Sequence, residues 1–405
     1  MSDTPWLTIV GIGEDGIDGL SAASQAALAA AEIIIGPSRH LHLLTDGAIL
    51  TNGPAGTQQH IAWPVPFADG LPLLEKQKGK RVVVLASGDP FWFGAGSVIA
   101  RHFKAHEWMA LPGLSCFALA ASRLGWALEN TTCTALHAAP FERLRCDLAP
   151  GARIIATLRD GDAVHALATY LEATGFGASI LTVMEHLGGP AERITTATAS
   201  SLSGQFAHPV CAAIDVAGDG ATLPVCTGLP DDSFAHDGQI TKRPMRAITL
   251  STLAPLPGEH LWDIGGGSGS IALEWLLAHP STSATTVEPR ADRAARIRQN
   301  ATDLGVAQRL AVIEGTAPEA LPDLDAPDAI FVGGGLSRAV LDKVIAIPAR
   351  LVVNAVTLEG EAVLAACHTE HGGDLMRIDL AQAKPLGSKR GWAASYPVVQ
   401  WSLTR

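Results

Sequence analysis

The chain has 405 residues, 47% of them hydrophobic and 17% charged, with a formal net charge of −11. Such a length exceeds what one hydrophobic core usually serves, so two or three domains are expected. The acidic balance excludes nucleic acid as the main partner, because phosphate binding needs a dense basic surface, but it leaves room for a small anionic substrate held by a local basic cluster.

With 41 Gly and 25 Pro, the composition is that of a globular α/β protein with many turns. Met1 to Pro5 carry no basic stretch ahead of the apolar run that follows, and the apolar residues of 22–35 are interrupted by Ser24, Gln25 and Glu32. A cytoplasmic protein with no export signal and no membrane span is expected. The six cysteines (Cys116, Cys133, Cys146, Cys211, Cys226, Cys367) show no C-x-x-C spacing, and the 14 histidines form no H-x-x-x-H pair. Reduced or incidental thiols and no metal site are expected.

Residues 6–10 read as a strand entering a glycine turn at Gly11 and Gly13, followed by an Ala-rich helix over about 21–31 and a strand over 32–35. A second strand over 81–87 ends in Gly88-Asp89-Pro90, and a helix begins near Ala95. Loops at strand carboxyl ends in open α/β sheets are where ligands bind. Pro112-Gly113-Leu114-Ser115 leads into a helix over 117–124, with Ser115 either an N-cap or a side chain turned to a ligand.

After Pro150 comes a separate alternation: a strand (152–158), a helix (164–173) and two strands (179–185, 208–215). Residues 1–220 thus read as one domain with subdomains of about 1–112 and 113–220. Residues 221–239 lose periodicity and gain Gly, Pro and Asp, the pattern of a linker. From 240 to 405, a helix (245–253) precedes strands at 259–264, 285–288, 310–314, 329–332 and 350–354, alternating with helices at 292–304, 337–345 and 359–367. That rhythm predicts a mostly parallel, doubly wound, Rossmann-like sheet.

The most informative stretch is Leu261-Trp262-Asp263-Ile264-Gly265-Gly266-Gly267-Ser268-Gly269, a strand running into a glycine-rich turn and then an apolar helical run. The turn brings backbone close to a ligand. Dinucleotide binders want Gly-x-Gly-x-x-Gly, whose helix N-terminus receives a pyrophosphate; this loop closes one residue earlier and suits a ligand without phosphates. A class I S-adenosylmethionine methyltransferase fits, and a dinucleotide binder fits less well. About 25 residues on, the strand Thr285-Thr286-Val287 ends in Glu288, a carboxylate placed to accept hydrogen bonds from both ribose hydroxyls. Basic candidates for an anionic substrate are Lys242, Arg243 and Arg246 on one side of the loop and Lys384, Lys389 and Arg390 near the C-terminus.

VGIGEDG at 10–16, GPSRHL from Gly36, SGDPFWFG from Ser87 and PGLSCFALAASRLG at 112–125 resemble the tetrapyrrole methylases. From Ile240 on, ITKRPMRA, LWDIGGGSGSIALEW, EGTAPEAL, AIFVGGG and LVVNAVTLE resemble the decarboxylating half of the precorrin-6Y C(5,15)-methyltransferases, and the two halves in this order match their fused form. The resemblance implies two S-adenosylmethionine sites of unlike fold. It implies methylation of precorrin-6Y at carbon 5 by the N-terminal half. Methylation at carbon 15, with loss of carboxyl from the ring C acetate, falls to the C-terminal half and gives a precorrin-8 of the cobalamin pathway. It also implies a homo-oligomer.

By the same resemblance, Asp263, Gly265, Gly267 and Gly269 cradle the methionine part of the donor, with Asp263 facing its ammonium, while Glu288 takes the ribose. Gly315-Thr316-Ala317 stands where relatives carry Gly-Asp-Ala at the adenine edge, so Thr316 departs from the pattern. Asn354 faces the methyl acceptor; from the residues alone, Gly333 to Gly335 would let a planar ring approach, and Lys242 or Arg246 is the candidate to hold substrate carboxylates. In the N-terminal half, Gly11, Gly13, Gly88, Asp89, Pro90, Ser115 and Met184 line the donor cleft. Relatives have Gly-Pro-Gly-Asp or Gly-Pro-Gly-Gly after the first strand, whereas this chain has Gly13-Glu14-Asp15-Gly16.

Methyl transfer is an in-line displacement that needs positioning and no nucleophilic side chain, and the conjugated macrocycle is itself the electron sink for decarboxylation. Two other readings are a dinucleotide-dependent oxidoreductase and a non-catalytic sensor of the donor.

Overall fold

Short Val- and Ile-rich runs build the first sheet. In the computed structural model, which describes residues 5–45, 58–321 and 324–404, its strands lie in the order Gln59–Ala62, Ile33–Gly36, Val82–Ser87, Leu7–Ile12, Trp108–Leu111, all parallel. Alternate residues of one strand feed opposite faces: Leu7 and Ile9 pack with Ile33, Ile35 and Val84, while Val10 and Ile12 pack with Ile34, Val83 and Leu85. Burial on both faces is why these runs are continuously apolar. The helix Ala22–Ala30 is capped by Ser21, whose hydroxyl accepts from the Ser24 N–H.

A second sheet runs Thr132–Ala135, Arg153–Leu158, Val210–Asp215, Ile180–Glu185, Arg193–Thr198, with one parallel pair and three antiparallel ones. The edge strand Arg193–Thr198, of sequence RITTAT, has no apolar stripe for a sequence reading to find, because it is mostly solvent-facing. These two sheets belong to one compact unit, Met1–Phe141 with Asp147–Ala221; the other unit is Glu142–Cys146 with Thr222–Arg405.

The second unit holds a seven-stranded sheet in the order Leu310–Glu314, Ser283–Glu288, His260–Ile264, Ala329–Val332, Arg350–Ala355, Val398–Leu403, Asp374–Ile378. Only Val398–Leu403 opposes the rest, pairing antiparallel with both neighbours. Apolar clusters cover both faces, one around Trp401, Val353 and Leu364, the other around Trp275, Leu250 and Phe331. The strand order reverses between His260–Ile264 and Ala329–Val332, the place where an open α/β sheet forms its ligand crevice.

Two expectations are corrected. Strand–helix alternation does not continue to the end: after the helix Leu358–His371 come four strands, two of them an exposed hairpin, Ala381–Leu386 with Lys389–Ala394. Its residues satisfy their backbone by pairing with each other and bury little, so no apolar period marks them. The presumed linker is also folded from Thr222 on. Leu229 and Phe234 are buried against Leu250 and Trp275, the Gly228 and Leu229 N–H groups donate to the Glu274 carboxylate at 2.5 and 2.9 Å, and Asn300 accepts from the Ala235 N–H at 2.8 Å. Polar Gly/Asp-rich chain reads as free linker, but its backbone is held by side chains distant in sequence.

Candidate active sites

In the C-terminal unit three loops meet at the carboxyl ends of the central strands. The Gly265 N–H donates to Val287 O at 2.9 Å, Gly315 N–H to Glu288 O at 3.2 Å, and Gly333 N–H to Ile264 O at 3.0 Å. Gly265, Gly267 and Gly269 all have positive φ, at 75°, 60° and 77°. A Cβ at Gly265 would stand 2.5 Å from the Gly334 backbone, so the first and second glycine loops pack main chain to main chain. At Gly267 a Cβ would meet nothing nearer than Gln239 O at 3.8 Å, which leaves the turn open on that side.

Asp263, next to last in the strand His260–Ile264 beneath this turn, is 1% exposed. Burial pushes its carboxyl up to about 7, an effect increased by the neighbouring Glu288 and opposed by a hydrogen bond from the Ala272 backbone. Its Oδ2 is buried without a hydrogen-bond partner. Such a carboxylate fits a cationic ligand group, and the ammonium of a bound S-adenosylmethionine answers that description. Glu288, 3% exposed, uses Oε2 to accept from the Gly267 N–H at 2.8 Å and Oε1 to accept from the Arg290 N–H at 3.1 Å. Each oxygen keeps a lone pair for a hydroxyl donor. Thr316 is exposed, and its carbonyl accepts from the Ala320 N–H at 3.0 Å.

Among the residues expected to meet the substrate, Arg246 is displaced from that role. Its side chain is fully buried: Nε donates to Glu274 at 2.5 Å, Nη1 to Thr241 O at 2.5 Å and to Asp231 at 3.1 Å, Nη2 to Leu229 O, and the guanidinium lies 4.8 Å over the Phe234 ring. A group so enclosed ties the segment before the helix Arg243–Leu253 to the helix Ser270–Ala278. It presents no donor to a ligand. Lys242, just before the first of these helices, is exposed and 3.7 Å from Asp231. Asn354, near the end of the strand Arg350–Ala355, donates to Thr249 Oγ1 at 2.8 Å and accepts from Gln400 Nε2 at 2.9 Å, within a buried polar network. Lys384, Lys389 and Arg390 stand on the exposed hairpin.

The N-terminal unit carries a cleft of about 800 Å³ whose lining includes Gly13, Gly88, Asp89, Ser115 and Met184. Three loops define its floor: Gly88 N–H donates to Ile12 O and Gly113 N–H to Gly88 O, and a Cβ on Gly11 would stand 1.9 Å from Gly88 O. Ser115 caps the helix Cys116–Leu124 by accepting from the Ala118 N–H at 3.2 Å, so its oxygen is part of the scaffold as well as of the wall. Asp89 accepts from the Phe91 N–H at 2.8 Å, an Asx turn that holds the loop. Met184, fully buried, packs with Phe117, Ile155 and Cys211. Trp92, Phe93 and Leu114 of the wall are exposed apolar side chains.

Glu274, which holds Gly228, Leu229 and Arg246, and Asn300, whose amide donates to Ser268 O in the glycine turn, escaped the sequence reading. The signal for Glu274 was present: it is the sole acid in the apolar run from Ile271 to Leu277.

A two-lobed α/β unit with a glycine-floored cleft, followed by a glycine-loop sheet with one reversed strand, defines a tetrapyrrole methylase joined to a class I methyltransferase. The descriptions "Tetrapyrrole (Corrin/Porphyrin) Methylases" and "Precorrin methyltransferase domain" match residues 6–203 and 232–405. The chain is 48% identical over 409 residues to a precorrin-6Y C(5,15)-methyltransferase (decarboxylating) of a Sinorhizobium species, covering 99% of this chain and 97% of the relative. It is 38% identical to the Mycobacterium tuberculosis protein of that name, over 98% and 100% of the two chains. Among solved structures, the C-terminal domain of precorrin-6Y C5,15-methyltransferase from Rhodobacter capsulatus is 54% identical, covering 45% of this chain and all of that one, with a TM-score of 0.44. The chain belongs to the precorrin-6Y C(5,15)-methyltransferase (decarboxylating) family.

Proposed function

We propose that the chain methylates precorrin-6Y at carbons 5 and 15 and removes the carboxyl of the ring C acetate, giving a precorrin-8 in cobalamin biosynthesis. It does so with two separate S-adenosylmethionine sites. What supports this reading is the pairing, in one chain of this family, of two unlike sheets, each with glycine loops at its strand carboxyl ends.

S-adenosylmethionine, when bound, supplies a methyl group on a positively charged sulfur. In the C-terminal unit Asp263 holds the donor's ammonium, the main chain of Gly265, Gly267 and Gly269 shapes the methionine channel, Glu288 accepts from the ribose, and Gly315, Thr316 and Ala317 border the adenine through their backbone. Asn354, its amide set by Thr249 and Gln400, orients the acceptor, and exposed Lys242 meets a substrate carboxylate. In the N-terminal unit Gly13, Gly88, Asp89, Ser115 and Met184 form the donor side of the cleft; Gly11, packed against the Gly88 backbone, and Pro90 lie outside its lining and support the loop. Positioning contributes most to such a displacement.

We assign carbon 5 to the N-terminal unit and carbon 15 with decarboxylation to the C-terminal unit. A cytoplasmic homo-oligomer belongs to the same proposal, and light scattering that gives the mass of one chain would remove that part. The assignment is tested with two full-length variants read by product mass. Gly265→Val places side-chain atoms into the Gly334 backbone and should leave a product methylated once and still fully carboxylated. Gly11→Val should leave one that has gained a methyl and lost carbon dioxide. The reverse pattern would refute the division of labour.

A further inference from the structure

One charged cluster of the N-terminal cleft is not accounted for by donor binding. It comes from GPSRHL and from the loop Gly13-Glu14-Asp15-Gly16. Arg39, in the helix Ser38–Thr45, is ion-paired with Glu14 and donates from Nη2 to His40 Nε2 at 2.9 Å and to Ser87 Oγ at 3.4 Å. Glu14 reaches with its other oxygen to His186 Nδ1, 3.2 Å away, on the loop that follows the strand Ile180–Glu185 of the second lobe. The loop closes tightly around it, since a Cβ on Gly189 would fall 2.6 Å from the Glu14 Cβ.

His40 is 2% exposed, and burial lowers its pKa to about 3. It is therefore neutral and serves as an acceptor that orients the guanidinium. Glu14, Arg39, His40 and Ser87 all line the cleft, whose apolar wall bears Trp92, Phe93 and Leu114. Side by side stand an apolar surface for a flat ring and a half-buried cation that carboxylates can reach. Partial desolvation strengthens the attraction of such a cation for carboxylates.

We propose that Arg39 anchors a peripheral carboxylate of the tetrapyrrole in this cleft, and that Glu14 is an internal carboxylate which holds Arg39 until the substrate's carboxylate replaces it, Glu14 then remaining with His186. The proposal rests on reading this cleft as the site of carbon 5 methylation.

The test uses full-length Arg39→Gln, Arg39→Lys and Glu14→Gln, with KM for the tetrapyrrole measured separately for carbon 5 and carbon 15 methylation, and donor affinity measured by calorimetry. Arg39→Gln should raise the carbon 5 KM about 10- to 100-fold, the value of one charge-assisted contact, with kcat and donor affinity little changed and carbon 15 untouched; Arg39→Lys should recover part of the loss. Glu14→Gln, which removes the competitor, should lower that KM. An unchanged KM in Arg39→Gln, or a rise in Glu14→Gln equal to that of Arg39→Gln, overturns the proposal. A raised KM confined to carbon 15 refutes instead the assignment of reactions to units.

Discussion

Asp263 combines full burial, an unpartnered Oδ2 and a carboxyl pushed up to about 7. An aspartate in the unfolded chain titrates near 3.9. Between about 4 and 7 the folded state therefore holds a proton that the unfolded state has lost, and the stabilisation present below that window is lost as pH rises through it. A ligand ammonium against Oδ2 favours the ionised form, so donor affinity at this site should increase with pH, by about tenfold per unit at most, up to about 7. Calorimetric titration with S-adenosylhomocysteine at pH 6 and pH 8 measures this. Asp263→Asn should bind weakly at both and show no such dependence; an unchanged pH response in the variant would assign the effect elsewhere. The opening acid of the glycine motif was legible in sequence, but its protonation was not, because that depends on how completely the chain around it excludes water.

At the scale of elements, the helices Arg243–Leu253 and Ser270–Ala278 are joined by Arg246 and Glu274, with Asp231, Thr241 and Leu229 completing the guanidinium's partners. Breaking a buried pair by removing one member leaves the other charge uncompensated, at a cost of about 3–5 kcal/mol. Arg246→Ala should lose that much in denaturant unfolding of the C-terminal unit while the KM for tetrapyrrole stays near its starting value. A normal unfolding curve with a raised KM would restore Arg246 to the substrate site. The basic residues near the loop looked equivalent in sequence; packing separated them, because Met245 and Arg246 fall on the inward face of their helix while Lys242 and Arg243 remain exposed.

For the whole molecule, the proposed pair of donor sites, one in each unit, predicts two equivalents of S-adenosylhomocysteine bound per chain in calorimetry. Gly11→Val and Gly265→Val should each leave one equivalent, and the double variant none. A single equivalent in the parent protein would mean that only one crevice takes the donor. Strands such as Leu7–Ile12, Val82–Ser87, Arg153–Leu158 and His260–Ile264 follow the apolar runs of the sequence, because burial of a face imposes a period of its own. The strands Arg193–Thr198 and Ala381–Leu386 bury little and left no such mark.

By itself the sequence determined the local chemistry of the chain: glycines where backbone must turn with positive φ, an acid next to last in the strand His260–Ile264 and another at the end of Ser283–Glu288, and apolar runs for sheets covered on both sides. Those follow from neighbours along the chain. Only the tertiary structure decided that Arg246 is enclosed, that the residues after Thr222 are folded rather than free, and that Glu14 stands between Arg39 and His186. Each of those depends on partners brought from distant positions, and the charge of a side chain carries no record of which partner will reach it.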